Sequence, residues 1–172
     1  MSSHRKLVNP ETHANFKGQG DFFYILSVDV GRVSCQTVVT VFKVFRQQSG
    51  FRSNLVNLYV LGKNDNERHF EFQARDLKRI IKAFEPKEVV IDGNGLGVGL
   101  LDFMARPQFD PSTGETYPAY GSFNDKDMLK TQPKTAIPLI YVVKANGKLN
   151  SEIHSNCYSQ LYAGRVTFLI KE

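Results

Sequence analysis

The chain has 172 residues, 41% of them hydrophobic and 12% aromatic, which supplies enough apolar material for the core of one domain and excludes disorder throughout. The formal net charge of +5 favours an anionic partner such as nucleic acid. The two cysteines, Cys35 and Cys157, form no CxxC pair, which argues against a zinc knuckle or a disulfide framework. We expect both to be buried free thiols.

Neither a membrane span nor a signal peptide is predicted. No apolar stretch approaches the roughly 20 residues that a spanning helix needs, and the N-terminus lacks the apolar core of a signal peptide. We therefore expect a soluble intracellular protein without membrane contact. Residues 1–20 are polar and show no sustained period, a pattern typical of a linker or arm.

The next segment predicts a buried strand followed by two strands of a meander. The first is the apolar run FFYILSVDV, which ends near Asp29 and is followed by Gly31. The runs QTVVTVFKVFRQ and NLVNLYVLG are rich in β-branched and aromatic residues and are separated by the polar segment QQSGFRS. Such runs with a polar break between them are typical of consecutive strands.

A change of period predicts a helix and then a parallel strand. In ARDLKRIIKAFEP the apolar residues recur at helical spacing, and the proline ends the helix. The strand EVVID follows at once. A strand, a helix and a further strand form a right-handed crossover, which would make EVVID parallel to the first strand. We therefore expect Asp29 and Asp92 at the same carboxyl-terminal edge of the sheet.

The glycine-rich segment VVIDGNGLGVGL that contains Asp92 allows other interpretations. Its spacing GxGxGxG differs from the dinucleotide-binding GxGxxG, and an acidic residue before the loop would repel a pyrophosphate. Each aspartate taken alone could be a turn or helix cap. An actin-like ATPase also uses Asp-x-Gly after a strand, but it needs a second repeat of its fold, for which the chain is too short.

The remaining elements are a short helix over residues 96–104, a long loop over residues 106–138, a strand in PLIYVVKA and a helix in NSEIHSNCYSQLYAG. We expect Asn150 or Ser151 to cap this last helix, with Gly164 at its end. The chain finishes in RVTFLIKE, which starts like a strand.

The two aspartates predict a divalent metal site. Like charges at the tips of adjacent strands repel each other unless a cation neutralises them. Hard oxygen ligands suit Mg²⁺ or Mn²⁺, and two such ions about 4 Å apart catalyse phosphodiester hydrolysis. Asp29 and Asp92 are therefore the predicted catalytic and metal-binding residues, with two ions of Mg²⁺ or Mn²⁺ as the cofactor.

Basic residues near these elements are candidates for contact with DNA. Aromatic side chains accompany the lysines of the long loop, a mixture suited to phosphate contact and base stacking. Contacts made mainly to phosphates predict weak sequence specificity. The candidate DNA-binding residues are Arg32, Lys126, Lys130 and Lys134, and the accompanying aromatic residues are Tyr117, Tyr120 and Phe123.

Four motifs in this order give the chain a family resemblance. From about Asp21 to the end, SVDVG, VVIDGNGLGVGLLDFM, YPAYGSFND and NSEIHSNCYSQLYAGRVTFLIKE resemble the nuclease domain of the large terminase subunit of tailed bacteriophages. The resemblance implies a ribonuclease H-like α/β fold: a central mixed sheet with the first three strands antiparallel, later strands parallel, and helices on both faces. It implies cleavage of concatemeric double-stranded DNA with divalent metal, and Asp29 and Asp92 match the acids of the first and fourth strands.

The resemblance also implies partners and a domain division. Residues 1–20 would connect to an upstream ATPase domain of the same subunit, and residues 21–172 would form the nuclease domain of a phage or prophage protein in the host cytoplasm. The portal and the small terminase subunit would be further partners.

One departure from the family pattern concerns a third acidic residue. In the family it stands on a helix after the strand that matches RVTFLI, and this chain ends at Glu172, so we expect the nuclease domain to be incomplete at its C-terminus. Local substitutes would be Asp102, Glu152 or Glu172, although Glu152 in the first turn of its helix is explained by the macrodipole alone. Without a third ligand the chain could be a catalytically silent DNA-binding or docking module. Another ribonuclease H-like nuclease, such as a junction resolvase, is the third hypothesis.

Overall fold

The computed structural model describes residues 9–16, 20–31, 35–62 and 69–168. Within these residues, seven strands form one mixed sheet and two form a separate hairpin. The strands are β1 (Phe22–Asp29), β2 (Thr37–Gln47), β3 (Gly50–Leu61), β4 (Glu88–Asp92), β5 (Gln108–Asp110), β6 (Glu115–Tyr117), β7 (Tyr120–Ser122), β8 (Ile137–Val143) and β9 (Val166–Thr167). The helices are α1 (Phe70–Phe84), α2 (Gly97–Met104), α3 (Lys126–Thr131) and α4 (Gly147–Tyr162).

The order of strands in the main sheet is β7-β8-β4-β1-β2-β3-β9. The pairs β1–β2 and β2–β3 are antiparallel, and the later strands β4, β7, β8 and β9 join the sheet by parallel pairing. Helices lie around the sheet. This arrangement confirms the predicted α/β fold with a central mixed sheet whose first three strands are antiparallel, including the parallel pairing of β4 with β1.

The core lies between α1 and one face of the sheet. Leu26 and Val28 of β1 alternate with less buried neighbours, as in a strand with one covered face. They belong to one buried cluster with Leu77 and Ile81 of α1, which confirms the predicted apolar face of this helix. The helix ends at Glu85, whose left-handed backbone (φ 46°) turns the chain into Pro86 and β4.

The prediction of a long loop over residues 106–138 is wrong. It contains the β5–β6 hairpin, edge strand β7 and helix α3. The hairpin is fixed to α1 by Asp110, whose fully buried carboxylate accepts two hydrogen bonds from Arg79, at 2.5 Å from Nε and 2.7 Å from Nη2. Strands of three residues have too few positions to show a period, so the pattern that predicts longer strands is absent from them.

The polar segment QQSGFRS is also mostly strand. The register pairs Arg46 with Phe51 and Gln47 with Gly50, so only Gln48 and Ser49 connect β2 to β3. Cross-strand pairing therefore continues through residues whose composition alone indicates a loop.

Helix α4 starts earlier than predicted and is not packed into the core. Asn146, rather than Asn150 or Ser151, is the N-cap, and its Oδ1 accepts a 2.9 Å hydrogen bond from the Leu149 N–H. All 16 residues of α4, each described by the structure, are exposed. Cys157 lies on this helix, and both it and Cys35 are exposed, so the prediction of buried thiols is wrong.

Residues 11–16 contact the sheet and α1. The Glu11 N–H donates to the Val56 carbonyl at 3.0 Å, and the Ala14 N–H donates to the Ala83 carbonyl at 2.8 Å. The Glu11 carboxylate accepts hydrogen bonds from the Tyr24 hydroxyl at 2.6 Å and from buried Lys43 at 3.2 Å. This part of the predicted linker is therefore held against the domain. Among the described residues, no helix has the length and apolar character to cross a membrane.

Candidate active site

Asp29 and Asp92 occupy equivalent positions on adjacent parallel strands. Val28 pairs with Ile91, and each aspartate is the next residue and the last of its strand. Neighbouring strands lie about 4.8 Å apart. Since Val28 and Ile91 are buried on the α1 side, strand alternation directs both aspartates to the opposite face. Both are exposed, so the two carboxylates share one accessible sheet edge.

A buried polar network holds the turn that follows Asp29. The Thr37 hydroxyl accepts a 2.9 Å hydrogen bond from the Gly31 N–H and donates one of 2.5 Å to Oε1 of Gln73 on α1. Thr37 and Gln73 are almost fully buried. The turn is therefore anchored both to β2, through Thr37, and to α1, through Gln73.

The segment after Asp92 folds back on that residue. The Asp92 carboxylate accepts a 2.9 Å hydrogen bond from the Asn94 N–H, a local turn that fixes one of its oxygens. At Gly97, the first residue of α2, a Cβ would lie only 1.7 Å from the Asp92 carbonyl oxygen. Position 97 must therefore be glycine for the helix to start this close to the strand end. This close approach gives the glycine-rich segment a structural role that does not involve a dinucleotide.

Lys144 brings a positive charge to the same edge of the sheet. It follows β8, whose last residue Val143 pairs with Asp92. Its Nζ lies 2.6 Å from Oδ2 of Asp125 and 3.8 Å from Oδ2 of Asp127. Asp125 also caps α3 by accepting hydrogen bonds from the Asp127 and Met128 N–H groups. The hydrogen bond with Lys144 lowers the pKa of the Asp125 carboxyl and raises that of Lys144.

The side chain of Lys144 also packs against the Asp92 turn. Its Cγ lies 3.4 Å from the position that a Cβ would take at Gly93, and the Gly93 N–H donates to the Val143 carbonyl at 2.8 Å. Helix α3 is therefore connected through Asp125 and Lys144 to the turn that carries Asp92.

The predicted DNA-binding lysines lie on or just after α3. Lys126 and Lys130 belong to this helix, Lys134 follows it, and all three are exposed. Lys130 also lies 3.8 Å from Asp127. Arg32 lies outside the described residues. Of the aromatic residues predicted to accompany the lysines, Tyr117 and Tyr120 are buried and only Phe123 is exposed. The prediction that the two tyrosines stack on DNA bases is therefore wrong.

The described part of the chain supplies two carboxylates at the strand ends and no group of three or more His, Cys, Asp or Glu residues that could hold a metal. Asp102 on α2 lines a small concavity with Asp125 and Lys144. Glu152 lies in the second turn of α4, 4.0 Å from Lys148 Nζ, so its assignment to the first turn is wrong. Glu172 lies outside the described residues.

Sequence analysis missed Thr37, Gln73, Asp125 and Lys144 as residues around this site. The position of Lys144 could have been predicted from the sequence, because a lysine directly after a strand parallel to EVVID must lie near Asp92. The contact between Thr37 and Gln73 has no local sequence signal, because the two residues are 36 positions apart.

Comparison with solved structures shows a distant likeness of the fold. No protein family model and no curated protein matches the chain. The crystal structure of the fowlpox virus Holliday junction resolvase is similar at a TM-score of 0.39 and 12% sequence identity, over 83% of this chain and 78% of that one.

Proposed function

We propose that this protein is a metal-dependent DNA endonuclease in which Asp29 and Asp92 are the catalytic metal ligands. The observation that carries the proposal is the placement of two exposed aspartates directly after the paired residues Val28 and Ile91 on adjacent parallel strands. Carboxylates that are this close favour occupation by a shared cation. The overall positive charge and the exposed lysines of α3 are consistent with a DNA substrate.

The donor set fits Mg²⁺ or Mn²⁺, because both ions prefer carboxylate oxygens. When bound, a pair of such ions activates water and stabilises charge on the leaving oxygen of a phosphodiester. The chain's own residues would position these groups. The Asn94 N–H holds one oxygen of Asp92, and the buried contacts of Thr37 hold the turn after Asp29. Lys126, Lys130, Lys134 and Arg32 would bind the phosphate backbone of double-stranded DNA, largely without regard to sequence.

A finer proposal is that residues 21–172 are the nuclease domain of a phage terminase large subunit, with residues 1–20 joining it to an ATPase domain. The ordered motifs around Asp29, Asp92 and α4 support it. The substrate would then be concatemeric DNA, and the portal and small terminase subunit would be partners in the host cytoplasm.

Plasmid nicking tests the proposal. In Mg²⁺ or Mn²⁺, the wild-type chain should relax supercoiled DNA, whereas Asp29→Asn and Asp92→Asn should abolish nicking and still bind DNA. Asp21→Asn is a matched control, since Asp21 is exposed and precedes β1, at the other end of that strand. Nicking by either active-site variant at the wild-type rate would remove the catalytic assignment.

Among the described residues, no group of three or more His, Cys, Asp or Glu residues could hold a metal, which favours one alternative, a catalytically silent DNA-binding or docking module. Such a module should give no saturable heat when titrated with Mn²⁺, whereas the proposed nuclease should. A junction resolvase would have the same sheet topology, so the fold does not separate it from a terminase nuclease. Preferential cleavage of a four-way junction over linear duplex would identify a resolvase.

A further inference from the structure

A cluster of basic and aromatic side chains lies at the end of the sheet opposite the two aspartates. We define the hairpin-end patch as Arg46, Phe51, Arg52, Lys87 and Arg165. The β2–β3 register brings Arg46 beside Phe51. The Arg165 carbonyl accepts from the Ser53 N–H at 2.8 Å, and its guanidinium lies against Gly50. All five residues are therefore grouped around the connection between β2 and β3 and the start of β4.

Phe51 presents an accessible aromatic surface within this patch. Its side chain meets Phe23 of β1 edge to face, with 6.2 Å between ring centroids, and 51% of the residue remains exposed. Lys87 Nζ lies 4.7 Å from the centroid of the same Phe23 ring. Phe23 therefore lies between an exposed ring on β3 and a positive charge at the start of β4.

Positive charge predominates over negative charge at this end of the sheet. Arg46 pairs with Phe51 and shares its face, whereas Arg52 follows Phe51 in β3 and points to the other face. Arg46 and Arg52 line one concavity of about 330 Å³ with Asp21. Asp21 lies 3.4 Å from Arg46, but both side chains are more than 60% exposed, and ion pairs of this kind are weak enough to yield to a phosphate. The only other nearby acid on β4 is the half-buried Glu88. Glu85 lines a different concavity, with Lys82.

We propose that the hairpin-end patch binds single-stranded nucleic acid that passes around this end of the sheet, with a base stacked on Phe51 and phosphates bound by the four basic residues on its two faces. Alternating cations and an exposed aromatic ring are the combination that single-strand-binding grooves use. A duplex keeps its base faces stacked, so it offers Phe51 no equivalent contact. Phe23 is six residues from Asp29 along β1, about 20 Å at 3.3 Å per residue. The patch is therefore separate from the proposed active site and does not depend on the nuclease activity.

Fluorescence anisotropy with a labelled oligothymidylate of about 15 nucleotides tests this site, in buffer without divalent ions so that cleavage plays no part. Phe51→Ala should weaken binding about tenfold, whereas Phe51→Tyr should retain it. Replacing both Arg46 and Arg52 by glutamine should reduce the slope of log K against log salt concentration by about 1.4, or about 0.7 for each lost phosphate contact.

Two controls lie outside the patch. Phe109 is an exposed aromatic residue on β5, and Lys148 is an exposed cation on α4, so Phe109→Ala and Lys148→Gln should bind as the wild type does. The wild type should also prefer the single strand to a duplex of equal length, and Phe51→Ala should lose that preference. Wild-type affinity and salt slope in the patch variants, or equal affinity of the wild type for both DNA forms, would overturn the proposal.

Discussion

The Thr37 hydroxyl donates a hydrogen bond of 2.5 Å to Oε1 of Gln73, and both side chains are almost completely buried. The same hydroxyl accepts from the Gly31 N–H, and the Gln73 amide lies 3.4 Å from the Gly31 carbonyl. Thr37, the first residue of β2, thus joins this strand to the start of α1 and to the turn after Asp29. A buried network of this kind specifies one arrangement only when its members are paired.

Thr37→Val should destabilise the protein while preserving the shape of the side chain. It leaves the buried Gly31 N–H and the Gln73 carbonyl oxygen without this partner, at a cost of about 1–3 kcal/mol in the free energy of unfolding. Urea denaturation measures this loss. Thr37→Ser retains the hydroxyl and should keep the nicking activity that Thr37→Val reduces. Equal nicking rates for the two variants would show that the network does not position Asp29.

Lys144→Met should reduce nicking without unfolding the chain. The substitution removes the partner of Asp125 and leaves three aspartates, Asp92, Asp125 and Asp127, with less neutralising charge at this sheet edge. Because α3 would no longer be fixed relative to the Asp92 turn, we expect the single-turnover nicking rate to fall by up to about 100-fold. Lys144→Arg should restore part of the rate. Thermal denaturation of each variant separates this effect from a loss of fold.

Gly97→Ala should displace the strand end that carries Asp92. The added Cβ would meet the Asp92 carbonyl oxygen at 1.7 Å, and relieving such an overlap should cost about 3 kcal/mol of unfolding free energy. Gly147→Ala is the matched control, because Gly147 is the first residue of α4 and nothing lies within 4 Å of its added Cβ. Its effect should remain below about 1 kcal/mol. Equal stability of the two variants would contradict the close approach at Gly97.

The positions of Asp29 and Asp92 follow from local sequence patterns. An apolar run, an amphipathic helix and a second apolar run predict the crossover between β3 and β4, and a crossover joins strands that run in the same direction. The parallel pairing of Val28 with Ile91 confirms the predicted direction of β4. Their catalytic role remains a prediction.

Long-range contacts explain what the sequence patterns missed. The β5–β6 hairpin depends on the ion pair of Asp110 with Arg79, 31 residues earlier in the chain, and no local period encodes such a contact. Helix α4 starts one turn early because Asn146 caps it, although Gly147 has a low helix propensity. All residues of α4 are exposed, so Cys157 is exposed with them, contrary to the expectation of a buried thiol.

The buried Lys78 of α1 predicts an unusual dependence of stability on pH. Its Nζ donates hydrogen bonds to the carbonyl oxygens of Phe103, at 3.3 Å, and Arg106, beyond the end of α2. Burial lowers the pKa of Lys78 to about 8, from 10.5 in an exposed lysine. Between these two values the unfolded chain binds more protons than the folded chain, so this group makes the free energy of unfolding rise with pH.

The expected rise is at most about 1.4 kcal/mol per pH unit between pH 8 and about 10. Lys78→Met removes the titrating group and should abolish this rise of the unfolding free energy with pH, whatever the substitution does to stability at pH 7. Urea denaturation at pH 7, 8, 9 and about 10 measures the slope for both proteins. Lys82→Met is the control, because Lys82 lies on the same helix but is largely exposed beside Glu115, so it should retain the wild-type rise. The prediction is wrong if the free energy of unfolding of the wild type stays level or falls over this range and Lys78→Met shows the same slope. Lys78 would then remain charged in the folded protein, because the carbonyl oxygens around it compensate for its burial.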